Sequence, residues 1–254
     1  MYCTKKMIIK ALSVILAVML TFTAAPLSGF IGLELPEWLD FSIMSTAAET
    51  SGPCGKNLTW VFDDTTGTLT ISGTGEMFGG QPWFEFTDII ECVIIEDGVT
   101  TIGELAFCYC SNIFSITIPN SVKIIDDYAF DNCTRLQHIE IGSSITKIGE
   151  GAFSYCDNLY TITIPESVTS IGDYAFHCSG LESIIVDSNN QYYSSDDRGV
   201  LFNKDKTNLI QYPKMSSQSS YIIPDSVTII QDNAFYRCNY LDSITIPDSV
   251  ITIG

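Results

Sequence analysis

Apolar and polar residues alternate in short bursts along most of the chain. Ile162-Thr163-Ile164 is one such burst, and its period of two predicts a short strand with isoleucine inward and threonine outward. Leu159 stands three residues ahead of it. Pro165 is expected to end the strand, because proline has no amide hydrogen to give to a ladder. Val168 and Ile171 turn back to the interior, Gly172 is expected to permit a tight bend, and Ala175 and Phe176 close the unit on its convex side. The unit before it places Leu136, Ile139, Ile141, Ile145, Ile148, Gly149, Ala152 and Phe153 at the same positions.

The unit recurs. An Ala-Phe pair places Phe at 107, 130, 153 and 176, each 23 residues from the last, and again at 235. Cysteine follows three residues later at 110, 133, 156 and 238, and two residues after Phe176 at Cys178. ITIPNSV, ITIPESV and ITIPDSV begin at Ile116, Ile162 and Ile244. A unit of this size cannot bury its own apolar residues, so units must stack, with strands about 4.8 Å apart, to build one continuous core. A period of roughly 20–29 residues around L-x-x-L-x-L is the leucine-rich-repeat signature. The pattern resembles the BspA-like branch of leucine-rich-repeat proteins, with units of the form L-x-x-I-x-I-P-x-S-V-T-x-I-G-x-x-A-F-x-x-C-x-x, from about Cys92 to Gly254. Glu96, Gly142 and Asp187 replace its proline, and Asp126 and Gln231 its glycine. The resemblance implies a mainly β fold: a curved solenoid of short parallel strands.

Three segments depart from the repeat. In 49–90, Leu58, Trp60 and Phe62 alternate with polar residues, Asp63 to Gly67 form a turn, and Leu69 and Ile71 alternate again. This predicts a β-hairpin that caps the first rung of a solenoid over 91–254. In 188–220 the period breaks, and Val200-Leu201-Phe202 and Leu209 to Tyr212 flank a turn at 203–207, which predicts an inserted hairpin. Residues 1–48 read as a signal peptide and leader. Lys5, Lys6 and Lys10 precede an uncharged run from Ala11 to Ala25, which is short for a spanning helix, although the apolar stretch from Met7 leaves an uncleaved signal anchor open. At the other end the chain stops inside a repeat, at Ile251-Thr252-Ile253-Gly254. The expectation is a solenoid truncated at its C-terminus, with a bare apolar end.

Composition narrows the partners. The 12 basic and 30 acidic residues leave a net charge of −18. Such a body repels nucleic acid and anionic lipid, so neither is an expected partner beyond that signal anchor. Of nine cysteines, four share one repeat position. Cysteine is a small, readily buried hydrophobe, so buried thiols are the first expectation; neighbouring rungs also fall within disulfide reach.

Catalytic chemistry finds no foothold. His138 and His177 have no partner at dyad or zinc-ligand spacing. Gly73-Thr74-Gly75 lacks the lysine of a phosphate loop. Adjacent acids such as Asp126-Asp127 do not converge on a cleft. Asp187, Asn189, Asp196 and Asp197 offer oxygen ligands for calcium, but without EF-hand spacing. No enzyme activity, cofactor or metal is therefore expected. What remains is the outward row on the strands: Ser115 and Thr117, His138 and Glu140, Thr161 and Thr163, Ser183 and Ile185, Ser243 and Thr245. A hydroxyl-rich concave sheet suits protein recognition, although threonine also favours strands for its own sake. The expected function is non-enzymatic recognition or adhesion by a secreted or cell-surface protein, with a host extracellular or neighbouring-cell surface protein as partner. The alternatives are an accessory or spacer region of a larger secreted enzyme, or an architectural surface protein.

Overall fold

The computed structural model describes residues 50–254 apart from Cys178. Residues 1–48, expected to be a signal peptide and leader, lie outside the described residues. The alternating segment forms a hairpin of Leu58–Asp63 with Thr68–Gly73, in register from Leu58 opposite Gly73 to Asp63 opposite Thr68. Asp63 closes its turn by accepting the amide and hydroxyl of Thr65 at 2.9 and 2.6 Å. Leu58, Trp60, Phe62, Leu69 and Ile71 are buried beneath it. Thr68–Gly73 then pairs in parallel with Cys92–Ile95, so the cap passes its hydrogen-bond ladder straight to the repeats.

Each coil contributes two short strands. The first strands carry the Ile-x-Ile alternation and pair in parallel: Ser115–Thr117 with His138–Glu140, Thr161–Ile164 with Ser183–Val186, and Ser220–Ile222 with Ser243–Thr245. The second strands form a separate ladder, Val99–Ile102, Ile124–Ile125, Lys147–Ile148 and Ser170–Ile171, joined upstream by Gly75–Glu76. One step shows how a coil docks. Lys123 O accepts the amide of Thr146 at 2.7 Å, Ile125 O that of Gly149 at 2.8 Å, and Asp127 Oδ1 that of Glu150 at 2.9 Å.

The phenylalanines of the Ala-Phe pairs stack ring on ring along the turn side. Centroids are 5.3 Å apart from Phe107 to Phe130, 5.4 Å from Phe130 to Phe153 and 6.1 Å from Phe153 to Phe176. Trp83 heads the column, 5.5 Å from Phe107, with its indole N–H on Ala106 O. Beside it, the buried Cys133 and Cys156 thiols donate to the carbonyls of Phe107 and Phe130 at 3.1 and 3.2 Å. Burial raises both thiol pKa values well above the ordinary range, so they stay protonated and serve as hydrogen-bonded pegs. Cys238 is only half-buried.

The bend residue is not the repeat glycine. Gly149 and Gly172 keep ordinary negative φ; a Cβ on Gly172 would lie 2.5 Å from Glu150 N, so the missing side chain lets consecutive coils approach. The left-handed turn falls two residues later, at Leu105, Tyr128, Gly151, Tyr174 and Asn233, all with φ between 57 and 60°. Four of these five carry side chains, so steric cost at this bend is offset by coil packing rather than avoided with glycine.

After Phe176 the column breaks. Tyr193–Ser195, Leu201–Asn203 and Asn208–Gln211 form an antiparallel meander, and Asn208–Gln211 restarts the second-strand ladder by pairing in parallel with Ile229–Ile230. The core divides here into two clusters. Tyr212 takes the place of a repeat phenylalanine, stacking 5.3 Å from Phe235. Its hydroxyl is buried and finds no hydrogen-bond partner among the described residues. Tyr212→Phe should therefore stabilise the protein by about 1–2 kcal/mol, because it removes an unsatisfied polar group without opening a hole. Urea denaturation checks this, and a loss of stability would show that the hydroxyl is satisfied.

Candidate protein-recognition face

All ten residues of the outward row lie on first strands. Ser115, Thr117, His138, Glu140, Thr161, Thr163, Ile185, Ser243 and Thr245 are exposed, and Ser183 is half-buried. Burial of the alternate positions Ile116, Ile162 and Ile184 turns them outward. Register sets Ser115 beside His138, Thr117 beside Glu140, Thr161 beside Ser183 and Thr163 beside Ile185. Across one step the Thr117 hydroxyl donates to Glu140 at 3.4 Å. Each hydroxyl can both donate and accept, so the row offers many weak, directional contacts.

The face extends beyond those ten residues. Ser220 and Ile222 pair with Ser243 and Thr245, and Ile222 is 71% exposed. Cys92 and Ile94 face outward on the strand next to the cap. Phe114 and Tyr160, each just before a first strand, are also exposed, and Phe114 meets His138 edge-on at 5.7 Å. The row therefore carries the aliphatic and aromatic anchors that a purely hydroxyl surface lacks. Sequence patterning hid them: Tyr221-Ile222-Ile223 is a continuous apolar run, and an aromatic beside a strand reads as core.

Asp196 and His177, two candidates for other chemistry, hold parts of the fold. Among the described residues, no group of three or more His, Cys, Asp or Glu could hold a metal ion. Asp196, one of the oxygen-rich residues of 188–220, accepts the amides of Arg198 and Val200 and the hydroxyl of Tyr221, the last at 2.7 Å. His177 stacks on Tyr236 at 4.7 Å; burial holds its pKa below the usual value, helped by the Arg237 and Lys214 charges. Its neighbour Cys178 lies outside the described residues. Among the described residues, no helix is long and apolar enough to cross a membrane.

The family profile of the BspA type leucine-rich-repeat region matches residues 80–196 and 212–254 in six copies. The match pauses where the meander interrupts the ladder. Among solved structures, a leucine-rich repeat protein from Eubacterium ventriosum is 30% identical with a TM-score of 0.63, covering 80% of this chain and 61% of its own. The pneumococcal vaccine antigen PcpA is 28% identical with a TM-score of 0.62, covering 70% of this chain and 43% of its own. A leucine rich cell surface protein from Faecalibacterium prausnitzii shares the fold at 24% identity and a TM-score of 0.58, covering 80% of this chain and 72% of its own. The chain thus spans less than two thirds of the first two. No curated protein matches the chain.

Proposed function

Because the chain belongs to the BspA-type leucine-rich-repeat family, we propose that it is a non-enzymatic, exported surface protein that binds another protein through its first-strand face. The observation that carries this reading is the set of exposed first-strand positions between Ile94 and Thr245, where serine and threonine hydroxyls stand among the anchors Phe114, Tyr160, Ile185 and Ile222. Anchors surrounded by adaptable polar contacts are the anatomy of a recognition surface. The expected partner is an extracellular host protein or a protein on a neighbouring cell. The reading draws support from the Faecalibacterium prausnitzii neighbour, described as a cell surface protein, and from the apolar run behind Lys5, Lys6 and Lys10.

The test is saturable binding to immobilised extracellular-matrix and cell-surface proteins, compared with a Phe114→Ser, Thr163→Arg, Ile185→Asp triple variant. At least tenfold weaker binding is expected. Each substitution is at an exposed position and should change stability by no more than about 0.5 kcal/mol. Undiminished binding by the triple variant would move the interface elsewhere, and no saturable binding by the parent protein would remove the proposal.

A further inference from the structure

Where the second-strand ladder stops at Ser170–Ile171 and resumes at Asn208–Gln211, a cleft of about 580 Å³ opens. Thr169, Ile171 and Asp173 line one side, and Gln231 and Asp232 the other. In the step from 123–127 to 146–150, the next coil's amides occupy three acceptors: two carbonyls two residues apart, and the carboxylate two residues further on. Thr169 O, Ile171 O and the Asp173 carboxylate are those same positions on the last coil before the break. Among the described residues, nothing donates to any of the three. The amides that would have reached Thr169 O have gone elsewhere, since Tyr192 and Tyr193 both give theirs to Asn190 Oδ1 at 2.8 Å; Asp196, which the repeat register sets opposite the Asp173 carboxylate, gives its amide to Val200 O at 3.2 Å. The one outward donor of this edge, the Ile171 amide, is already taken by the Tyr193 hydroxyl at 2.9 Å.

The edge is thus acceptor-rich and short of donors, and Asp173 and Asp232 add two exposed negative charges. Among the described residues, no lysine or arginine lines the cleft. We propose that this cleft is a docking slot for an extended, lysine- or arginine-bearing segment of another polypeptide, which adds a strand to Ser170–Ile171. Its main-chain amides reach Thr169 O and Ile171 O, because donors two residues apart in an extended chain match acceptors two residues apart in a strand. Its basic side chain sits between Asp173 and Asp232. An uncharged sugar fits less well, since it supplies no positive charge and its acceptors find few donors. The slot lies on the second-strand ladder, so it stands or falls independently of the first-strand face.

The test titrates the isotope-labelled 254-residue chain with the capped heptapeptide acetyl-Thr-Val-Lys-Val-Lys-Val-Thr-amide and follows amide resonances. Saturable shifts at residues 169–173 and 231–232 are expected, with a dissociation constant below about 1 mM. The same peptide N-methylated at alternate amides should bind at least tenfold more weakly. Asp173→Asn and Asp232→Asn should each weaken binding severalfold, an effect that shrinks as salt rises. Both aspartates are exposed, and unchanged circular dichroism would confirm that the variants fold. The proposal is overturned by the absence of shifts at saturating peptide, by equal binding of the N-methylated peptide, or by tighter binding of an uncharged oligosaccharide at the same amides. Shifts confined to 115–117 and 161–164 would also overturn it and assign peptide binding to the first-strand face instead.

Discussion

Phe153→Ala is expected to destabilise the fold by about 3–5 kcal/mol, the range for truncating a fully buried aromatic. Phe153 is wholly inaccessible and lies nearly parallel to both neighbours, tilted by 2° from Phe130 and 5° from Phe176. Removing its ring leaves both partners facing a void, and each lost aromatic pair adds about 0.5–1.5 kcal/mol beyond simple burial. A stacked coil meets only its neighbours, so the hole cannot be shared with distant parts of the core. The comparison is Thr163→Ala, an exposed position on the same coil, which should cost well under 1 kcal/mol. Urea denaturation of the two variants decides. Equal losses would mean that the inward and outward positions of this coil are wrongly assigned.

Gly73→Ala should be the most damaging small substitution in the cap. The residue adopts φ of +107°, and an added Cβ would fall 2.1 Å from the carbonyl oxygen of Asn57. That oxygen is already bound by the Thr74 amide at 3.1 Å, so it cannot retreat without breaking the bond that closes the open end of the hairpin. The strained backbone contributes about 1–3 kcal/mol, and the overlap a comparable amount, about 1–3 kcal/mol. The damage is local, and Trp60 and Trp83, 6.1 Å apart and both buried, report on it. Their emission should shift red at lower urea than the loss of strand signal from the remaining coils. Coincident transitions at the parent midpoint would show that the Asn57 turn relaxes freely.

The features legible in the sequence are those carried by period. Recurrence of Ala-Phe announced the stacked coils, and Ile162-Thr163-Ile164 announced which side faces solvent. Leu58-Thr59-Trp60 likewise announced the hairpin. Features that depend on what one coil does to the next were not legible. Glycine serves both for unusual φ and for close approach, and sequence alone cannot say which; Gly172 serves the second. The true bend carries leucine and tyrosine at Leu105, Tyr128 and Tyr174, residues that signal no left-handed turn. Trp83 heads the aromatic column without an alanine before it, so it escapes the Ala-Phe pattern. The outward row was readable where alternation is clean. It was lost at Ile222, which lies between two apolar neighbours, and at Phe114, because side-chain direction at the edge of a strand depends on the turn that leads into it.

The break after Phe176 also has a mechanical consequence. Elsewhere a tensile load along the stack is borne in series by ladder bonds and ring stacking at every step. At the meander the second-strand pairing and the aromatic column are both interrupted, so this seam is the weakest link under load. Stretched between its termini, the folded part should yield here first, releasing residues 193–254, whose second-ladder strands share one sheet, as one segment while the coils from Trp83 to Phe176 hold to a higher force. Under the proposed role, with the chain tethered at a surface and pulled by a bound partner, the meander would act as a fuse that lengthens the chain before the main stack fails.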